Sequence, residues 1–94
     1  MGFEVIVLLP KALSVKVLYK LRNRTYNSEQ SFKDKATSFS MGELCNEKIS
    51  LEDLLKSINN IQFMPFDEYF NSVNNGVDFR NYWIFSITLN TMSL

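Results

Sequence analysis

The segment FRNYWIFSITLNTM has the clearest pattern in this chain of 94 residues. Large apolar side chains alternate there with small polar ones, as in a β-strand: Trp83, Phe85, Ile87 and Leu89 alternate with Ser86, Thr88 and Asn90. The first part, Tyr82–Phe85, is apolar on both faces, and a strand of that kind is usually covered on two sides. The sequence therefore predicts a sheet with this strand in its interior.

Two further strands are predicted near the start of the sequence. Residues Phe3–Leu9 are mostly apolar and rich in β-branched side chains, and Pro10 follows them. From Leu13 to Arg24, apolar residues occupy odd positions and basic residues occupy even ones: Val15, Val17, Tyr19 and Leu21 against Lys16, Lys20, Arg22 and Arg24. Because a strand period places these apolar residues on one face, we expect a strand here and an N-terminal hairpin with a turn at Pro10-Lys11.

A helix is predicted near residues 51–60. Ser50 lies three residues before Asp53, which is close to a capping box, and leucines and isoleucines follow at helical spacing. The preceding region, 25–49, has no decisive pattern. It offers two alternatives, a strand at Ser31–Met41 or a short helix at Asn27–Ala36.

A second helix is predicted to open at Pro65. Asp67 and Glu68 fall in its first turn, where the helix dipole favours negative charge. Three apolar residues share one face of this helix: Phe66, Phe70 and Val73. Asn75-Gly76 suits its end, because glycine accepts a left-handed backbone.

Together these elements predict a single α+β domain over residues 1–94. Its sheet would be mainly antiparallel with three to four strands, and two helices would pack on one face, in the order ββ(β/α)ααβ. The apolar fraction of 46% and the charged fraction of 21% are ordinary for a folded domain. A chain of this length buries somewhat more than about 60% of its unfolded surface, which is enough for one modest core.

The residue types exclude most catalytic chemistry. The sequence contains no histidine, so Ser-His-Asp and Cys-His arrangements and ordinary structural zinc sites are excluded. The lone Cys45 lies among carboxylates that disfavour a thiolate, and we expect it to be a small packing residue. Some small ribonuclease toxins use the residue types found at Lys20, Arg22, Arg24 and Tyr26, but such toxins are strongly basic and this chain is neutral. We therefore expect no enzymatic activity, no cofactor and no metal.

The sequence also bears on where the protein acts. Cys45 has no partner for an internal disulfide, so no oxidising compartment is required. The first ten residues, MGFEVIVLLP, lack the leading positive charge of a secretory signal. No apolar run approaches the roughly 18 residues that a transmembrane helix needs. We expect a cytoplasmic protein that does not bind membranes.

Charge divides the chain into a basic and an acidic half. Residues 1–35 contain seven lysines and arginines and three acids. Residues 36–94 contain three lysines and arginines and seven acids. In the acidic half the candidate partner-binding residues are Glu52, Asp53, Asp67, Glu68 and Tyr69. Acids with an exposed aromatic can occupy the basic cleft of a nuclease or another nucleic-acid-binding protein. We therefore expect a protein-binding inhibitor or adaptor. The simpler alternative is that Phe66 and Phe70 belong to the core and the acids cap helices.

The basic half offers a competing hypothesis, a nucleic-acid-binding module. Its candidate residues are Lys16, Lys20, Arg22 and Arg24, and alternate residues of a strand lie roughly 7 Å apart, close to the spacing of phosphates. Single-strand binders place aromatics among their cations, but the strand would put Tyr19 on the opposite face. An edge strand protected by lysine explains the same pattern without a ligand. Zero net charge and a strand edge also permit self-association.

In composition the chain is similar to small proteins of phages and mobile elements, including immunity proteins, antitoxins and inhibitors of host defence. It is neutral and rich in Asn, Lys, Phe and Ile. No motif ties it to one family.

Overall fold

The structure is a computed structural model, and it describes residues 2–43 and 49–90. Four strands and four helices follow one another along these residues: β1 (Gly2–Pro10), α1 (Val15–Leu21), β2 (Thr25–Tyr26), α2 (Glu29–Glu43), α3 (Leu51–Asn59), β3 (Gln62–Met64), α4 (Phe66–Asn74) and β4 (Tyr82–Asn90). The predicted α+β class is confirmed.

The strands form one mixed sheet in the order β2-β4-β1-β3. β1 and β4 are antiparallel neighbours along their whole length, from the pair Gly2–Asn90 to the pair Pro10–Tyr82. β3 is antiparallel to the other edge of β1, and β2 is parallel to β4. β4 therefore lies inside the sheet, as its two apolar faces predict. The sequence does not predict β2 and β3, because runs of two and three residues are too short to show a strand period.

One face of the sheet is covered by α1, α2 and α3. Val5, Val7 and Leu9 alternate along β1 and belong to a continuous core that includes residues of all three helices. The helices contribute Val17, Leu21, Phe32, Ala36, Leu54 and Ile58. The ring of Phe32 is completely buried and makes edge contacts with Tyr26 and Phe63, at centroid distances of 4.9 and 5.3 Å. Full burial of one such side chain contributes roughly 1.5–3 kcal/mol, so this layer supplies most of the hydrophobic stabilisation.

The other face of the sheet is covered by α4. Ile6 and Leu8 of β1 alternate with the core residues, and they are buried without belonging to the core beneath α1–α3. α4 packs against β1 and, in the described part of the chain, adds no residue to that core. The prediction of two helices on one face is therefore incomplete: three helices lie on one face and the fourth on the other.

The predicted strand from Leu13 to Arg24 is wrong, and so is the N-terminal hairpin. Ser14 instead caps α1, and its Oγ accepts a hydrogen bond of 3.1 Å from the backbone N–H of Lys16. Val17 and Leu21 lie one helical turn apart and are both buried, so the alternating pattern also contains a helical pair. Both edges of β1 are occupied, one by β4 and the other by β3, so none is left for a hairpin partner.

In the undecided region 25–49, residues Glu29–Glu43 form a helix, α2, which is longer than the predicted helical alternative. The strand alternative at Ser31–Met41 is therefore wrong. Ser28 and Ser31 cap its start reciprocally, because each side-chain oxygen accepts a hydrogen bond from the other residue's backbone N–H. The prediction of a packing role for Cys45 lies outside the described residues. Glu47, in the acidic half, also lies outside them.

The two later helices are confirmed. Ser50 caps α3, and its Oγ accepts a hydrogen bond of 3.1 Å from the N–H of Asp53. α4 follows Pro65 and ends at Asn74, and Gly76 has the left-handed backbone (φ 82°) that its position predicts. Both helices therefore begin and end close to where their cap signals lie.

Candidate interaction surfaces

The exposed side of α4 carries a row of large apolar side chains. Its members lie at successive turns: Phe66, Phe70, Val73 and, just beyond the helix, Val77. Phe66 and Phe70 are 46% and 51% exposed, and their rings contact each other edge to face at 4.9 Å. An apolar stripe with this spacing normally faces the core. Here the row is only about half covered, and no residue of α4 is buried among the residues that the structure describes.

Tyr69 of α4 packs against the segment between α4 and β4. Tyr69 is partly buried, and its ring lies 5.4 Å from that of Phe79, which is partly buried as well. The ring of Tyr69 also lies 6.3 Å from that of Phe70, the next residue of α4. Of the predicted partner-binding residues, Tyr69 is therefore a packing residue beside the surface rather than its most exposed aromatic. The sequence interpretation did not include Val77.

The acids of the predicted patch lie in two places. Asp67 and Glu68 are exposed in the first turn of α4, next to the apolar row. Glu52 and Asp53 are exposed in the first turn of α3, on the other face of the sheet. The predicted acidic-aromatic region is therefore not one surface. We call the α4 part, Phe66, Asp67, Glu68, Phe70, Val73 and Val77, the α4 surface.

The predicted basic residues gather around the end of α1. Lys16 and Lys20 lie one turn apart on α1, Arg22 is its C-cap residue, and Arg24 precedes β2. They do not form a row along a strand face with a spacing of roughly 7 Å, because the segment is helical up to Leu21.

Two aromatic rings lie among these cations. The guanidinium of Arg22 lies 4.6 Å from the ring centroid of Tyr19, which is 57% exposed. Lys20 Nζ and the guanidinium of Arg24 each lie 5.7 Å from the ring centroid of Phe39, on α2. The strand interpretation placed Tyr19 away from the cations, and Phe39 is too distant in sequence to be recognised. We call these residues the basic cluster: Lys16, Tyr19, Lys20, Arg22, Arg24 and Phe39.

Glu43 forms an ion pair with one cation of the basic cluster. Lys20 Nζ forms an ion pair of 3.2 Å with Glu43, whose side chain is only 12% exposed. Arg24 also lines an open polar groove of about 210 Å³, together with Glu4, Asn23, Thr25, Ser86, Ile87 and Thr88. Lys16 and Arg22 are exposed, and among the described residues neither has an ion pair.

Within residues 2–43 and 49–90, no three acidic or cysteine side chains are grouped closely enough to hold a metal ion. Over the same residues, no helix has both the length and the apolar character to cross a membrane.

Comparison with known proteins gives no relative: no family model, no curated protein and no solved structure matches this chain. The two surfaces must therefore be interpreted from their own chemistry.

Proposed function

We propose that this chain is a small, non-enzymatic protein-binding inhibitor or adaptor of the cytoplasm. Its helix α4 binds in an apolar groove of a partner protein and covers the basic surface around that groove. The observation that supports this proposal is the exposed apolar row of α4, which the fold leaves unburied although its spacing suits burial.

The spacing of the row suits a helix-in-groove contact. Such complexes use apolar anchors at successive turns of one helix, which here are Phe66, Phe70 and Val73. Each phenylalanine keeps about half of its surface in contact with water, so a partner that buries the rest gains about 1 kcal/mol from each ring. Aromatic anchors in closed pockets dominate the binding energy of many interfaces.

Charge indicates what surrounds the groove. α4 contains no lysine or arginine, and its first turn carries Asp67 and Glu68. Asp78, beyond the helix, is paired with Arg80 at 2.7 Å. A surface with apolar anchors and only negative charge fits a groove that is rimmed by lysine and arginine. The nucleic-acid cleft of a nuclease or of another nucleic-acid-binding protein has this character. Opposite charges would also speed the encounter, and added salt would slow it.

The proposal is tested by site-specific photo-crosslinking in the native cell. The crosslinking amino acid p-benzoylphenylalanine replaces Phe70 in one variant and Phe3 in the control. Phe3 is a matched control because it is 49% exposed, against 51% for Phe70, and lies on β1 rather than α4. We expect one discrete heteromeric adduct from position 70 and none from position 3.

Charge reversal then tests the role of the acids. Asp67→Lys with Glu68→Lys should abolish the adduct, whereas Glu52→Lys with Asp53→Lys should leave it unchanged. Both pairs lie in the first turn of nine-residue helices, so their effects on the helix dipole are matched. With the captured protein purified, Phe70→Ala should weaken its affinity by about tenfold or more. An adduct with the mass of two copies, or one that survives reversal at 67 and 68, would overturn the proposal.

A further inference from the structure

We infer that the basic cluster is a second binding site, separate from the α4 surface, and that its ligand is single-stranded nucleic acid. The inference does not depend on the proposed inhibitor function. It uses residues on the opposite side of the sheet, and its test uses a purified chain and a synthetic oligonucleotide.

The ring of Tyr19 is exposed within the basic cluster. This ring is 57% exposed although the residue belongs to a short helix with two buried neighbours, Val17 and Leu21. Arg22 lies over one face of the ring at 4.6 Å, so a base that stacks here uses the other face of the ring or the plane of the guanidinium. Single-strand-binding proteins use this combination, in which a base stacks on the ring and the cation contacts the adjacent phosphate. Any base can stack in this way, so little sequence preference is expected.

Further cations lie near Tyr19 and Arg22. Lys16 lies on α1, within a turn of Tyr19, and Arg24 lies beyond Arg22 toward the polar groove. Lys35 lies one turn before Phe39 on the same face of α2, so the helix brings a further cation to this side of the cluster. Two acids oppose this charge: Glu43, whose side chain is mostly buried against Lys20, and Glu4, which lines the same groove as Arg24 but forms no ion pair with it. Three cations therefore remain available to bind phosphates: Lys16, Arg22 and Arg24.

The aromatic ring also distinguishes single strands from duplexes. In a duplex the faces of the bases are already stacked on each other, so an exposed ring gains nothing from them. A duplex would be attracted only by the cations. A single strand offers both its phosphates and its base faces, and only it uses Tyr19 and Arg22 together.

The first experiment is fluorescence anisotropy with a labelled mixed-sequence DNA strand of about 16 nucleotides, the upper site size of single-strand-binding folds. We compare Lys16→Ala/Arg22→Ala/Arg24→Ala with Lys33→Ala/Lys56→Ala/Arg80→Ala, which removes the same charge elsewhere. The cluster variant should lose about tenfold or more in affinity, and its slope of log K against log salt should flatten by about 2, the value for three phosphate contacts. The control should keep the wild-type slope.

Two single variants separate binding from folding. Lys16→Glu places an acid in the first turn of α1, four residues before Lys20, which favours the helix and should still weaken binding. Tyr19→Ala should weaken binding by about tenfold without changing the salt slope, because it removes stacking and no charge.

Three outcomes would overturn the inference. The first is equal loss of affinity in the cluster variant and the control. The second is duplex DNA binding as tightly as the single strand, with no effect of Tyr19→Ala. The third is cluster-dependent binding to phosphatidylserine vesicles but none to the oligonucleotide, which would assign the cluster to a membrane surface.

Discussion

Tyr26 is a buried side chain that connects α1 to the sheet. Its hydroxyl donates a hydrogen bond of 2.7 Å to the carbonyl oxygen of Leu21, the last residue of α1, and its ring packs edge to face on Phe32. Burial raises the pKa of this hydroxyl above its ordinary value of 10.0, and the positive charge of Arg24 opposes part of that rise. The folded protein therefore holds Tyr26 in its neutral form at pH values where a free tyrosine ionises.

This shift predicts a loss of stability at high pH. Below about pH 10 the tyrosine is neutral in both states, and above it the unfolded chain loses the proton first, so the free energy of unfolding falls as pH rises. Tyr26→Phe removes this dependence and costs about 1 kcal/mol near neutral pH through the lost hydrogen bond. Urea unfolding from about pH 8 to about pH 11 measures the free energy of unfolding of both proteins. The difference between the two values should shrink above about pH 10. A constant difference would contradict the prediction.

Ser40 is a buried hydroxyl whose Oγ has no hydrogen-bond partner among the described residues. It lines a cavity of about 10 Å³ beside α1, together with Leu13, Val17 and Glu43. A buried hydroxyl without a partner costs about 1–3 kcal/mol, and serine also favours a helix less than alanine does.

Ser40→Ala should therefore raise the free energy of unfolding by about 1 kcal/mol or more. Ser57→Ala is the matched control, because Ser57 is also buried within a helix but borders an open groove of about 400 Å³, where water reaches. Chemical denaturation of both variants measures the two changes. The increase in the free energy of unfolding should be larger for Ser40→Ala than for Ser57→Ala. A loss of stability at Ser40 would show that its hydroxyl is satisfied, by a water for example.

At the scale of single elements, α1 shows how a regular pattern can predict the wrong structure. Val15, Val17, Tyr19 and Leu21 alternate as in a strand, yet only Val17 and Leu21 are buried, and these two also have helical spacing. The four apolar residues have the period of a strand, and the two buried ones also have the period of a helix. A hairpin would need a free edge of β1, and both edges are occupied by strands from later in the sequence, β3 and β4. Tertiary contacts therefore determined the structure of a segment whose local periodicity predicts a strand.

The later helices could be predicted because their signals are local. Ser50 caps α3, and Pro65 with Asp67 marks the start of α4, so both begin where the sequence indicates. The direction in which α4 turns its apolar row is not a local property. Phe66 and Phe70 would be buried in most folds with this spacing, and their exposure follows from how α4 sits on β1.

The candidate surfaces show the same division between local and distant information. The sequence identified the cations at Lys16, Lys20, Arg22 and Arg24, because residue types are visible without a fold. It could not place Phe39 between Lys20 and Arg24, because α2 approaches α1 only in the folded chain. It also grouped Glu52 and Asp53 with the acids of α4, and the sheet separates them. Charge is predictable from sequence, and its spatial grouping is not.

At the scale of the whole molecule, the sheet separates two layers of different composition. α1, α2 and α3 share the core with Val5, Val7 and Leu9, and the basic cluster lies on this side. α4 is alone on the other side, with an apolar row and acids in solvent. The two proposed ligands therefore approach from opposite directions, and one chain can hold both. A partner on the α4 surface leaves the basic cluster accessible.

The two layers should also differ in local stability. α3 and α4 are both nine residues long, but α3 buries Leu54, Ser57 and Ile58, whereas no residue of α4 is buried within the described chain. Backbone hydrogen bonds of a helix that buries little apolar surface open locally. We therefore predict that native-state hydrogen exchange is faster in α4 than in α3, and that only exchange in α3 responds strongly to low urea.

The same measurement reports on binding. A partner that covers the α4 surface must slow exchange in α4 more than in α3, because it buries the row that water now reaches. An oligonucleotide on the basic cluster should instead slow exchange around α1. Equal protection of α3 and α4 in the free chain would contradict the two-layer interpretation. It would mean that α4 opens only with the whole fold, so that its exposed phenylalanines are held as firmly as the core beneath the other helices.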